Sequence, residues 1–193
     1  MRVHGDKVIR RRKDVAVQND YKKYKPDLRI DFFHMCGYCG KHEMVSHKGM
    51  EPDHLVPDRI DPSRKCDYTN LVYSCFTCNR KKLGKWPTKD KDKLNDGQTG
   101  FADPATEEFD KHLGRAESGE LKYYTPVGQY MYEKAFKFDM RPTRIIWKAS
   151  VLYQLSSELK DSIDQLTQED RDRYINISAE LTDLQNYLFE NKE

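Results

Sequence analysis

The sequence has no long apolar run. No stretch approaches the roughly 18 consecutive apolar residues that a membrane-spanning helix needs, and none follows the basic N-terminus MRVHGDKVIRRRKDVAVQ. A secretory signal is excluded as a reading of that segment. The expectation is an intracellular, cytoplasmic protein with no membrane among its partners. Internal repeats and low-complexity tracts are also missing, which argues against a repeat array. Apolar residues are few: 37% of 193 residues are hydrophobic and 34% are charged. One medium domain, or a small domain with an appendage, must then leave much of its surface to solvent or to a partner. Cysteine is sparse too. Five thiols, four of them in Cys-x-x-Cys pairs, do not make a disulfide framework, and in a reducing interior that spacing suits a metal. Cys66 lies outside both pairs and reads as an ordinary free thiol.

The net charge of +2 hides a polarity along the chain. Through Asp90 there are 20 Lys and Arg against 12 Asp and Glu, a balance of +8; from Val151 onward there are 4 against 10, a balance of −6. A basic front half suggests a polyanionic partner, with two ordinary solvated surfaces as the plainer reading. Residues 1–20 are polar and basic and read as a flexible or partly ordered arm.

In YKKYKPDLRIDFFHMC, Pro26 suits the first turn of a helix, with Leu28, Phe32 and Phe33 as its apolar face. Helix starts are expected near Thr106, at Thr125-Pro126 and at Arg141-Pro142-Thr143, and ELKYYTP reads as a short strand. Tyr174, Ile177, Leu181, Leu184 and Leu188 step by 3 and 4 and make one helical stripe; Leu152, Leu155, Leu159 and Leu166 make another. Thr167 to Asp170 between them resembles a capping box, so two antiparallel helices are expected. Their stripe reads as packing within the domain, and their acidic outer faces suit a protein partner or a second copy of the chain.

Cys36-Gly-Tyr-Cys39 and Cys75-Phe-Thr-Cys78 each put two thiolates on a tight turn. Together they supply the four ligands of a closed, structural Zn²⁺ site. A redox dithiol would need only one such pair. Between the pairs lies Asp53-His54, flanked by Pro52 and Pro57. A metal-dependent phosphodiesterase needs an imidazole to activate water and a carboxylate to hold a hard ion on the phosphate. Neighbours on a strand point to opposite sides, so the two share a site only if the backbone curls. Asn79 directly follows the last cysteine, and its amide oxygen is placed to complete a hard-cation site with Asp53. Arg80, Lys81 and Lys82 follow, where phosphates would be met. Glu51 is a weaker metal candidate. Asp103, Asp110 and His112 read as a turn residue plus a helix face, and Trp86 and Trp147 as core anchors.

Asp-His-x-x-Pro, then Asn-Leu, then Cys-x-x-Cys-Asn-x-x-Lys resembles the HNH nucleases, which have the ββα-metal fold. The resemblance is strongest over Cys36 to Pro87 and extends more weakly into YKPDLRIDF and GFADPATEEFDKHL, features shared with bacterial defence-associated HNH proteins. It implies His54 as general base, Asp53 and Asn79 as ligands of a catalytic Mg²⁺ (or Mn²⁺ or Ni²⁺), and Asn70 as a brace for the loop carrying His54. Asn79 stands where many members have a final histidine and other active members have asparagine, which bears on metal preference more than on activity. Cleavage would leave 5′-phosphate and 3′-hydroxyl ends.

The expected fold is therefore α+β, a ββα-metal core with a zinc knuckle and a mainly helical C-terminal part. The expected division is a basic arm over 1–20, a nuclease core over 21–100 and a helical region over 101–193, with a helical hairpin at about 143–190. The resemblance implies a nucleic-acid endonuclease, DNA favoured, acting as the effector of an anti-phage defence system with an ATPase or sensor subunit. The alternative is a zinc-ribbon module that binds nucleic acid without cutting it.

Overall fold

The structure, a computed structural model, describes residues 1–190, the Ile163 side chain excepted; the last three residues of the expected helical region, 191–193, lie outside the described residues. The fold is α+β: a small hairpin core carrying a cysteine cluster, then a helical part. Strands β1 (Met50–His54) and β2 (Leu71–Cys75) pair antiparallel, with Met50 opposite Cys75 and His54 opposite Leu71. Helix α2 (Phe76–Lys82) leaves β2 with no intervening loop and folds back on β1. All five β2 residues are buried, as a strand covered on both faces requires.

Helix α1 (Lys25–Asp31) carries Pro26 in its first turn and buries Leu28 and Asp31. Phe32 just beyond it is fully buried, but Phe33 is not on that face. Phe33 and His34 take left-handed backbone conformations that end the helix, and Phe33 is 39% exposed. Helix α2 starts at Phe76, inside the second cysteine pair, because the Cys75 side chain caps it by accepting from the Cys78 amide.

The basic N-terminal segment is not a loose arm. Val3 and Ile9 are buried in the main core, and the Arg115 amide donates to Met1 O at 2.8 Å. Arg11 makes a bidentate pair with Asp103 at 2.7 and 2.9 Å, and Arg12 reaches buried Asp31 at 2.5 Å. With Arg2 beside Asp110 and Arg10 beside Glu107, four of the six Lys and Arg in residues 1–20 face carboxylates distant in sequence, which no local pattern reveals.

Helix α3 (Glu107–His112) starts after Thr106 and runs straight into β3 (Leu113–Arg115), which pairs with β4 (Leu121–Tyr123). Helix α4 (Pro126–Gln129) is capped by the Thr125 side chain and continues as one wide π-type turn to Ala135. Helices α5 (Thr143–Asp161) and α6 (Gln168–Glu190) lie antiparallel, with Lys148 meeting Glu180 and Ser156 Oγ 3.4 Å from Ser178 Oγ. Thr167 caps α6, accepting from the Asp170 amide at 3.1 Å. The hairpin's apolar stripe is only partly covered: Ile146, Ala149, Leu181 and Leu188 are buried against Val45, while Leu155, Leu159 and Tyr174 stay half-exposed.

Candidate active site

The four paired cysteines converge. The sulfurs of Cys36, Cys39, Cys75 and Cys78 all lie within 4.8 Å of one another and are buried. Zn–S bonds of about 2.3 Å put tetrahedral ligands about 3.8 Å apart, and Cys39 Sγ lies 3.9 Å from Cys75 Sγ. The donor set fits a structural zinc. Gly40 closes the first knuckle at φ +68°, and a Cβ there would come within 2.5 Å of Val3 O, so only glycine fits. Four thiolates around Zn²⁺ leave a net charge of −2, and Arg141 answers it, donating Nη1 to Cys78 Sγ at 3.2 Å.

Each knuckle also aims residues at the neighbouring site. From the first, Tyr38 donates its hydroxyl to Asp53 Oδ2 at 2.6 Å. Burial and the Asp53 carboxylate both push the Tyr38 pKa well above its ordinary value, keeping it a donor. From the second, α2 presents Asn79 and, one turn on, Lys82. Lys82 Nζ lies 3.2 Å from Asp53 Oδ2 and donates to His54 O at 2.5 Å. Lys82 is therefore not a phosphate contact as the sequence suggested. It is 1% exposed, and its ammonium is enclosed by the Asp53-His54 dipeptide. Arg80 and Lys81 do reach solvent.

Strand alternation gives Asp53 and His54 different surroundings. Asp53 Oδ2 receives Tyr38 and Lys82, while Oδ1 makes no hydrogen bond among the described residues. The Asn79 amide does not bond Asp53 here; its Nδ2 donates to Glu51 Oε2 at 2.7 Å, leaving Oδ1 open. Glu51 and Asp53 share one face of β1, and Asn79 and Lys82 one face of α2, so the strand–helix seam gathers two carboxylates and an amide oxygen. That hard-oxygen set fits a divalent ion such as Mg²⁺.

His54 lies at the end of β1 with Nε2 2.8 Å from Lys65 O. A carbonyl only accepts, so Nε2 carries the proton and Nδ1 is left with its lone pair. The Tyr21 ring packs on the imidazole at 4.6 Å between centroids. Behind it, Asn70 is fully buried and clamps Val56 from both sides, accepting from Val56 N at 2.9 Å and donating to Val56 O at 3.0 Å. Sequence reasoning missed Tyr38, Tyr21 and the role of Lys82. Tyr38 alone had a local signal, its place between two zinc-type cysteines. Asp103, Asp110 and His112 form no second site: Asp103 is held by Arg11, Asp110 by Arg2 at 2.9 Å, and His112 by Thr125 at 2.6 Å.

Two antiparallel strands and a helix, braced by a four-cysteine cluster and enclosing an Asp-His pair, define a zinc-stapled ββα arrangement. Residues 36–84 match the model of the HNH endonuclease family. A search of the curated proteins and a search of the solved structures each found no match. Among the described residues no helix is long and apolar enough to cross a membrane.

Proposed function

We propose that the protein is a metal-dependent endonuclease that hydrolyses phosphodiester bonds in nucleic acid, DNA foremost, with His54 as general base. The observation that carries this reading is the one-sided tether of His54. Its Nε2–H is held by Lys65 O, so the unprotonated Nδ1 is the atom available to take a proton from water. Asn70 holds the loop that follows His54, keeping the imidazole in place. Asp53, through its unbonded Oδ1, and Asn79, through its amide oxygen, would hold Mg²⁺, Mn²⁺ or Ni²⁺, with Glu51 beside them. Such an ion, when bound, supplies charge neutralisation at the phosphate and the leaving oxygen. Tyr38 and Lys82 hold the Asp53 carboxylate in place. Arg80 and Lys81 meet phosphates on the same helix.

The likeness of the flanking segments to defence-associated HNH proteins supports an effector role in anti-phage defence, in the cytoplasm, under an ATPase or sensor subunit. The acidic α5–α6 hairpin is the surface such a subunit, or a second copy of the chain, would use. Purified protein is to be incubated with supercoiled plasmid, with Mg²⁺ and with chelator. Relaxed or linear plasmid with Mg²⁺ alone is expected. Retarded but uncut plasmid would replace the nuclease with the zinc-ribbon binding module. Asn79→His sharpens the assignment: an imidazole ligand should favour Mn²⁺, Co²⁺ or Ni²⁺ over Mg²⁺, and a metal profile identical to the parent's would place Asn79 outside the coordination shell.

A further inference from the structure

The family match begins at Cys36, yet part of the cleft beside Glu51 and Asn79 comes from upstream of it. This open cleft of about 450 Å³ is lined by Tyr21, Lys22 and Lys25 together with Glu51, Asn79 and Arg80. The upstream segment is firmly built. The Asp20 side chain accepts from Lys22 N at 3.0 Å and caps the turn Tyr21–Tyr24. Tyr24 is 2% exposed, packs on Tyr68 at 5.1 Å and donates its hydroxyl to Cys66 O at 3.2 Å. The chain then passes directly into α1.

Lys22 and Lys25, three residues apart on this helical path, project to one side. Both are exposed, and neither makes an ion pair among the described residues. Arg80, which also lines the cleft, packs over the Phe76 ring at 5.0 Å and lies 3.8 Å from Glu51. Tyr21 carries this wall to the imidazole of His54. Several cations spaced along an open cleft suit a chain of phosphates better than a single small anion.

We infer that the turn Tyr21–Tyr24 and the start of α1 form a second wall of the substrate groove, where Lys22 and Lys25 hold backbone phosphates of the strand presented to His54. The inference rests on the nuclease reading for what lies in the groove. It is tested by binding rather than cleavage. The His54→Ala protein is titrated into a short fluorescein-labelled DNA duplex across a range of salt concentrations, with and without Lys22→Glu and Lys25→Glu. The control is Lys122→Glu with Lys160→Glu, which alters net charge equally on exposed residues outside the cleft. Zinc content and melting report that each variant is folded.

Loss of two phosphate contacts should weaken binding about tenfold or more and make the slope of log affinity against log salt shallower by roughly 1.8, with the control slope unchanged. Parent-like binding by the Lys22/Lys25 variant, or an equal loss in the control, overturns the wall. Parent cleavage of supercoiled plasmid with Mg²⁺ is measured in parallel. If the parent cuts while the slope does not move, the wall falls and the nuclease reading stands. If the slope moves but the parent never cuts, the wall stands on a binding module.

Discussion

Strand β2 is buried at all five positions, whereas α6, with 23 residues, buries two. The two regions solve the same problem by different means. Around β2 the chain is too polar to rely on apolar burial alone, so a four-cysteine cluster suited to zinc joins the Cys36–Cys39 turn to the end of β2 and the start of α2, and interior polar groups pair with one another. Arg115 illustrates this: it is 1% exposed and donates to the carbonyls of Val3, Gly119 and Cys39. Among the described residues the α5–α6 hairpin has no such ligand cluster, and it makes few such bonds to the rest of the chain. It rests on Val45, on the Ser150 hydroxyl accepting from His42 N at 3.0 Å and on Gln185 donating to Met44 O at 3.1 Å. Groups that must hold fixed positions lie in the first region, and acidic exposed faces lie in the second. Rigidity follows the chemistry.

The comparison breaks most directly at Cys75, which is both a zinc-type ligand and the cap of α2. The parent should carry about one zinc per chain by elemental analysis. Cys75→Ser should lose it, and with it a contribution on the order of 10 kcal/mol, so that cooperative melting of the core disappears. A zinc-free parent that melts like Cys75→Ser would mean that the core is held as the hairpin is, by packing alone.

Lys82 probes the buried polar network at a smaller scale. Lys82→Met leaves Asp53, among the described residues, with Tyr38 as its remaining bonding partner in a nearly closed site. Removing one member of a buried ion pair costs about 3–5 kcal/mol, seen as a fall in melting temperature. Mn²⁺ should restore part of that fall, because an ion on Asp53 would replace the missing positive charge. A variant as stable as the parent would show that the pair does not hold Asp53.

His54→Ala separates chemistry from fold within the same region. Its ring contacts are Tyr21 and one carbonyl, so zinc content and melting should stay near those of the parent. Plasmid cleavage should fall about 10²-fold or more, the scale for a lost general base. Retention of most of the rate would remove His54 from the mechanism.

What was legible in the sequence follows from the same contrast. The cysteine pairs, Asp53-His54 and Asn79 stand out because a zinc site and the proposed hydrolytic site need fixed residue types at short spacings, and Asn70 stands out only through the likeness to the HNH nucleases. The partner of Asn79, the burial of Lys82 and the position of Tyr21 depend on how α2 crosses β1 and on where a distant segment lands. Helix periodicity located α5 and α6 but not the depth of their stripe, since the pattern is the same whether a third surface covers it or not. Strand β3 was missed because Leu113-Gly-Arg continues α3 without a break in composition.

The weakest expected effect lies where the two regions meet. His42 packs its ring 4.6 Å from Tyr153 on α5 and accepts from Met44 N through Nδ1. Burial lowers its pKa from 6.5 to about 4, the Glu43 charge opposing this and His34 and Arg29 adding to it. Glu158 is the other titratable group of α5 lining this cleft. A histidine whose pKa is lower folded than unfolded takes up protons preferentially when the chain is unfolded. Its contribution is therefore complete above about pH 6.5 and is lost as pH falls toward about 4. Glu43 has the same sign in a different window. Burial raises its pKa, but bonds from Arg29, Tyr73 and His34 outweigh that and hold it at about 2, so its contribution is lost only below its unfolded value of 4.5. Above the Glu43 window His42 can be isolated by difference. His42→Asn keeps a side-chain acceptor for Met44 N and removes the titration, while the other buried histidines remain in both proteins. Melting followed from roughly pH 7 to about pH 5 should fall further in the parent, by on the order of 1–2 kcal/mol, and the two curves should converge on acidification. Curves that stay parallel would mean that the hairpin's seat on the core does not depend on a neutral His42.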